Sequence, residues 1–407
     1  MWKRFFAPEI LFLAGMIQSL IPYLIWSIHG LNNRYFYNIT YIPIFIWLVG
    51  YLCFWVGSSL IKDLKPVRDN FMNRIRWNKF NLILISTFVL TCVFILQAIN
   101  IYGGIPLLQY ASEASTVADA NNLQSDATSG QFGILLALLF FLNALILLTV
   151  IKSFEGGKKD TIIFLAITLI EIFGGLMAGK RQALMVTSMF VVCGLSLHFN
   201  DPFKPIFNII NIPKNKLIRF MLLVIMVSSL VWVMGAMMGL RTGISTNAFS
   251  GVDEILTYLE LPLINLESQC ETIGFGFEQK NFVYPFIRLL PYSIIQSVLL
   301  SSRDLPYYPE PTASAGFYGE LHWGFGIYGI VLFSFIAGLV SKYLYSRAAD
   351  SVFHFLAYCQ ISWTLISAHS YNHFLTLMFI PVPTLILFLF SKIIDNPKFS
   401  PEKSLKT

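Results

Sequence analysis

Long apolar stretches alternate with short polar ones along the whole 407-residue chain. About 20 consecutive apolar residues form a helix that crosses the roughly 30 Å hydrocarbon core of a bilayer, where the backbone must satisfy its own hydrogen bonds. The pattern therefore predicts an all-α, polytopic membrane protein, and it places spans near 9–28, 41–61, 81–101, 132–151, 161–178, 183–199, 217–239, 324–346, 351–368 and 374–391.

The distribution of Lys and Arg predicts the orientation of these spans. With the N-terminus in the cytoplasm, 21 of the 28 basic residues fall in inside segments or at the adjoining span ends. Inside loops of membrane proteins carry such an excess, so we expect both termini in the cytoplasm. External cations then need another explanation and are candidates for function; they are Arg34, Lys180, Arg181, Arg241, Lys280, Arg288 and Arg303.

Composition excludes a water-soluble domain, because 56% of the residues are hydrophobic, 12% are charged and the mean hydropathy is +0.66. The net charge of +6 comes from short clusters between apolar stretches, so we interpret it as a topology signal and expect no nucleic-acid partner. Four of the five cysteines lie in apolar spans, which favours neither a disulfide framework nor a cysteine metal site.

The pattern indicates a single integral membrane domain, 1–407, with two long outside loops at 102–131 and 240–323. The larger loop contains the amphipathic stretch NFVYPFIRLLPYSIIQSVLL, which we expect to lie on the membrane surface, and then the Pro-rich segment LPYYPEPTASAG.

Lys180 and Arg181 lie in a very short outside turn, GGLMAGKRQALM, at the start of the sixth span. Free N–H groups and the helix dipole make a helix N-terminus attractive to anions, and a Lys-Arg pair strengthens the attraction. The alternative is a pair of membrane-edge anchors whose side chains reach lipid headgroups.

Arg241 follows the seventh span, and Arg288 and Arg303 lie in and just after the amphipathic stretch. A guanidinium group forms forked hydrogen bonds with phosphate oxygens, which suits a diphosphate. Each of these residues alone is compatible with a structural role, but with Arg181 they could converge on one polyanionic headgroup.

Glu320 and His322 lie in SAGFYGELHWGFGIYG, just before the eighth span and at its outer edge. A carboxylate and an imidazole could deprotonate a sugar hydroxyl, and Tyr318 and Trp323 offer flat faces for sugar rings. A glycine-rich helix start with an aromatic belt is the competing interpretation.

His369 and His373 fall in the last outside turn. Their spacing could hold a metal on a helix, but no HExxH pattern or nearby Asp or Glu accompanies them. We therefore expect no metal, and a base or polar-lining role for His369.

The AGKRQALM turn after an apolar helix, the large outside loop with its Arg and Pro segments, and GFYGELHWGFGIYG at the start of a span resemble the Wzy-type polymerases of O-antigen and capsule synthesis. The resemblance implies a GT-C-like helical fold in the bacterial inner membrane, with the active site facing the periplasm. It also implies a metal-independent glycosyltransferase without a cofactor, which transfers a growing glycan from undecaprenyl diphosphate to a new lipid-linked repeat unit. The resemblance also implies that basic residues in the outside loops hold the diphosphate leaving group, a role that Arg181 and Arg241 match by position. Membrane lipid, a Wzz-like chain-length regulator and a flippase are the other partners it implies.

Two alternatives stay open. An O-antigen ligase would use the same donor and a similar fold, with lipid A core as its acceptor. A flippase for the lipid-linked oligosaccharide would have about a dozen uniform spans and short loops, and the loop at 240–323 disfavours it.

Overall fold

The computed structural model describes residues 2–29, 40–62, 71–102, 132–156, 181–199, 259, 261–271, 274–275, 316–369, 374 and 380–395. Helices make up nearly all of these ranges, which contain no strand. The helices are α1 (Trp2–Phe5), α2 (Pro8–His29), α3 (Tyr41–Ser59), α4 (Trp77–Tyr102), α5 (Phe132–Gly156), α6 (Arg181–Phe199), α7 (261–271), α8 (Gly316–Arg347), α9 (Val352–Ser367) and α10 (Pro381–Ile394).

The prediction of an all-α chain is confirmed for the described residues. Two helices, α3 and α8, are long and apolar enough to cross a membrane. The predicted spans at 161–178 and 217–239 lie outside the described residues, as does the amphipathic stretch at 281–300. The other eight predicted spans each overlap one helix.

The helix α8 reverses direction at Gly326, whose φ of 61° and ψ of −153° are not helical. A Cβ atom on Gly329 would lie 3.1 Å from the carbonyl oxygen of Leu321, and the rings of Phe325 and Phe333 lie 5.6 Å apart. Residues eight apart in a straight helix are separated by about 12 Å. The helix is therefore a hairpin with a short arm, 316–325, about 15 Å long, and a long arm, 327–347, about 31 Å long.

Glycines bring the long arm of α8 against α3. A Cβ atom on Gly57 would collide with the carbonyl oxygen of Phe335, and one on Gly338 would collide with the carbonyl oxygen of Phe54. Small residues permit such close backbone approach, which is how helices associate where lipid replaces water. The hairpin is thereby fixed on α3.

Large apolar side chains are exposed along the outer faces of five helices. On α4 they recur every three or four residues and are 52 to 68% exposed, which makes one continuous stripe: Leu82, Ile85, Val89, Val93 and Leu96. Similar stripes follow α2, α3, the long arm of α8 and α10.

Candidate functional site

The residue Glu267, on α7, binds the N-terminus of α3. Its carboxylate oxygen Oε2 accepts hydrogen bonds from the backbone N–H and the hydroxyl of Thr40, each at 3.0 Å. Thr40 is itself the N-cap of α3, and its hydroxyl accepts from the N–H of Ile42 at 3.3 Å. Glu267 is 1% exposed, and burial raises the pKa of its carboxyl group, against the opposing effect of the Thr40 hydrogen bonds. This carboxylate therefore attaches the loop 240–323 to the start of α3.

The residue His322, on the short arm of α8, is fully buried and contacts the turn that follows α7. Its Nε2 lies 2.8 Å from the carbonyl oxygen of Gly274. A carbonyl can only accept, so Nε2 carries the hydrogen and, in the neutral ring, Nδ1 carries the lone pair. This Nδ1 has no hydrogen-bond partner among the described residues.

The start of the short arm packs level with the middle of α3. Gly316, at φ +70°, lets the N–H of Phe317 donate to the carbonyl oxygen of Ala368 at 2.8 Å. The ring of Tyr318 lies where a Cβ atom on Gly50 would be, and Gly50 is central in α3. The short arm therefore begins halfway along α3, deeper than the outer edge at which the sequence pattern placed it.

The residue His369, directly after the end of α9, lies in a cluster of aromatic rings. Its ring centroid is 4.9 Å from that of Trp47 and 5.1 Å from those of Phe12 and Tyr318. Its Nε2 donates to the carbonyl oxygen of Phe12 at 3.2 Å. His369 is therefore buried among aromatic rings, and its Nδ1, like that of His322, has no hydrogen-bond partner among the described residues. The base or polar-lining role expected for it stays a prediction. His373 lies outside the described residues.

The two residues predicted to stack on sugar rings are both buried. Tyr318 is 1% exposed and is packed among His369, Trp47 and Phe317, so the role predicted for it does not fit this packing. Trp323 is 7% exposed.

Glu320 is 1% exposed on the short arm, and it takes part in an interaction there. Residues two apart on a helix point about 160° away from each other, so Glu320 and His322 lie on opposite sides of the arm. The two side chains therefore diverge, and the base role predicted for each of them stays a prediction.

Arg181 is the first residue of α6, as the sequence indicated. The first turn of a helix presents N–H groups that lack acceptors within the helix, which makes a helix start attractive to anions. The other predicted members of the diphosphate site, Lys180, Arg241, Arg288 and Arg303, lie outside the described residues.

No three His, Cys, Asp or Glu side chains come together as metal ligands in the part of the chain that the structure describes. The sequence-based expectation of a metal-independent site stays a prediction.

Sequence reasoning missed Glu267 and Gly274. The signal was a group of four polar residues among the five from Asn265 to Gln269, in the otherwise apolar helical stretch LPLINLESQC. Charged and amide side chains are rarely buried without a specific partner, so such a group within an apolar helix marks a site of interaction.

No family model, no curated protein and no solved structure matches this chain.

Proposed function

We propose that this chain polymerises undecaprenyl-diphosphate-linked oligosaccharide repeat units into O-antigen or capsular polysaccharide at the periplasmic face of the bacterial inner membrane. The observation that carries the proposal is the reversal of α8, which buries Glu320 and His322 inside the helical bundle. Ionisable groups within a membrane bundle are costly and are found mainly where they serve a function.

The apolar stripes support a multi-pass arrangement in which α2, α4 and α10 cross the membrane together with α3 and α8. Side chains such as Leu82 and Leu96, which are 68 and 66% exposed, are stable on an outer surface when that surface faces lipid. About ten spans, a GT-C-like fold and cytoplasmic termini belong to the same proposal.

The reaction forms a bond between an acceptor hydroxyl oxygen and the anomeric carbon of the donor glycan. The bond from that carbon to the diphosphate breaks, and undecaprenyl diphosphate leaves with the bonding electron pair. Arg181, at the start of α6, stabilises this charge, and Arg241 joins it. The hydroxyl proton passes to a base on the short arm of α8. The donor supplies the energy, so no nucleotide is required.

Deletion of the gene in its own bacterium tests the function, because each candidate leaves a different surface glycan on a gel. Loss of the ladder, with single repeats still on lipid A, supports the polymerase. Loss of all surface glycan indicates a ligase or a flippase instead. Purified protein in lipid vesicles should then convert extracted lipid-linked repeat units into a ladder.

The topology is tested by cysteine labelling in intact spheroplasts. Cysteines at Ser245 and Ser302, in the loop 240–323, should react with a membrane-impermeant thiol reagent, because that loop faces outward. Native Cys270 should give little background, since it is buried and burial raises its pKa to about 12. A cysteine at Asn78, exposed at the start of α4, is the matched inside control and should react only after lysis. Labelling at 245 and 302 only after lysis would reverse the orientation.

Polymerisation by the purified protein should survive EDTA, because the proposed site stabilises the leaving group with arginine. The rate of ladder formation is measured before and after chelation. If chelation abolishes the activity and a divalent cation restores it, the site contains a metal.

A further inference from the structure

The tautomer of His322 is set by a neighbouring backbone group. The carbonyl of Gly274 takes the Nε2 hydrogen at 2.8 Å, which directs the lone pair to Nδ1. In a histidine base, a hydrogen bond from one ring nitrogen usually fixes the proton there and leaves the lone pair of the other nitrogen to accept a proton. Of the two buried imidazoles among the described residues, His369 is enclosed by aromatic rings, whereas His322 lies under a turn.

That turn is at the surface of the described structure. A Cβ atom on Gly274 would meet nothing within 4 Å, and the adjoining Phe275 is 46% exposed. The turn closes the Nε2 side of the imidazole, so the acceptor must meet the ring from the opposite side, where the buried Nδ1 has no hydrogen-bond partner among the described residues.

The position of the turn is fixed from α7. Glu267 binds the backbone and side chain of Thr40, and Phe275 makes an edge contact with Phe45 on the same helix, with ring centroids 6.3 Å apart. The stretch between these two contacts carries Gly274. The turn therefore links α3, which Phe275 contacts, to the short arm of α8, which Gly274 contacts through His322.

We propose that His322 is the base that takes the proton of the acceptor hydroxyl, through Nδ1, and that Glu267 is a positioning residue that holds Gly274 against Nε2. The inference rests on the proposed function and names its base. The acceptor oxygen bonds to the anomeric carbon as its proton moves to Nδ1, giving an imidazolium that donates through both nitrogens until the proton is lost to water. Glu320, on the other side of the arm, takes no part in this transfer.

The test uses the full-length protein in lipid vesicles with extracted lipid-linked repeat units. His322→Gln should lower kcat by about a hundredfold or more, because the Gln side-chain amide can still donate to Gly274 but has no nitrogen lone pair for the proton. The wild-type rate should fall as the pH is lowered and His322 becomes protonated, and this acid limb should be absent in His322→Gln. Retention of the wild-type rate and of the acid limb in this variant would overturn the assignment.

The positioning role is tested by a pair of substitutions at one position. Glu267→Ala should lower kcat about tenfold or more with little change in KM, since small misplacements of a reacting group are costly. Glu267→Gln should restore most of the rate, because its amide oxygen can accept both Thr40 hydrogen bonds. Glu271→Ala, which removes an exposed carboxylate one turn further along, is the matched control and should behave as wild type. Equal rates for the Ala and Gln variants at 267 would refute the positioning role.

A spectroscopic readout separates this inference from the proposed function. In ¹⁵N-histidine spectra of the wild-type protein, the signals assigned by their loss in His322→Gln should show a protonated Nε2 and a bare Nδ1. Glu267→Ala should mix the two tautomers. The opposite tautomer in the wild type would contradict the inference even if polymer forms. Failure of the wild type to form any polymer would refute the proposed function, while the spectra still test the arrangement of His322.

Discussion

Replacing Arg181 with Ala should lower the rate of polymerisation by about a hundredfold, because the variant loses a preorganised donor for the departing diphosphate. Negative charge on that group grows in the transition state, so the loss should lie mainly in kcat and less in donor binding. The position of Arg181, as the first residue of α6, adds the free N–H groups of a helix start to its own charge. Arg241→Ala should have a similar effect. Ladder formation by purified protein in vesicles measures both.

A lysine at position 181 should restore the rate only in part, since an ammonium cannot form the forked contact with two phosphate oxygens. Arg347→Ala is the matched control. Arg347 is a cation at the C-terminal end of the long arm of α8, where it pairs with Asp350 at 3.1 Å. It should polymerise as wild type. If the Ala variants at 181 and 241 do so as well, at wild-type protein levels, these arginines are only membrane-edge anchors.

The helices themselves could be predicted from the sequence because burial and lipid contact both demand apolar residues. The predicted span at 41–61 became α3, Tyr41–Ser59, and the one at 183–199 became α6, which begins two residues earlier at Arg181. Local signals set these limits: Thr40 caps α3 with its own hydroxyl.

The reversal of α8 could not be predicted in the same way. The stretch GELHWGFGIYG has several glycines, any of which permits a bend, and hydropathy does not distinguish a straight helix from a hairpin. Only the positive φ of Gly326 and the return of Phe333 to Phe325 show where the chain turns. For that reason Tyr318 was expected at the outer membrane edge, whereas it lies beside Gly50 in the middle of α3.

The contacts that organise the candidate site join residues far apart in the chain. Thr40 and Glu267 are 227 residues apart, and Gly274 and His322 are 48 apart. No local periodicity encodes such pairs, since they depend on how helices associate. Sequence reasoning could therefore name His322 as a base candidate but could not identify the carbonyl that selects its tautomer.

Replacing Gly57 with Val should destabilise the folded protein by about 3 kcal/mol or more, because overpacking a close helix contact forces the helices apart. The Cβ atom itself would collide with the carbonyl oxygen of Phe335, which belongs to the backbone of the long arm of α8 and cannot rotate away. Gly57→Ala should already be destabilising, and the two extra methyl groups of Val should make the effect larger. Heating a fluorescent fusion in detergent, followed by size-exclusion chromatography, measures the fraction that stays folded.

Ser59→Val puts the same side chain on the same helix two residues later, on an exposed side. It should melt close to wild type, because a branched apolar side chain facing detergent or lipid meets no backbone. A melting curve of Gly57→Val that matches those of wild type and Ser59→Val would show that α3 and the long arm do not touch at this point.

Since the hairpin that carries His322 rests on α3 through this contact, a destabilised Gly57→Val should also lose polymerisation in proportion to its loss of folded protein. Activity per folded molecule should stay near wild type in the fraction that remains folded, which distinguishes a packing residue from one that touches the substrate.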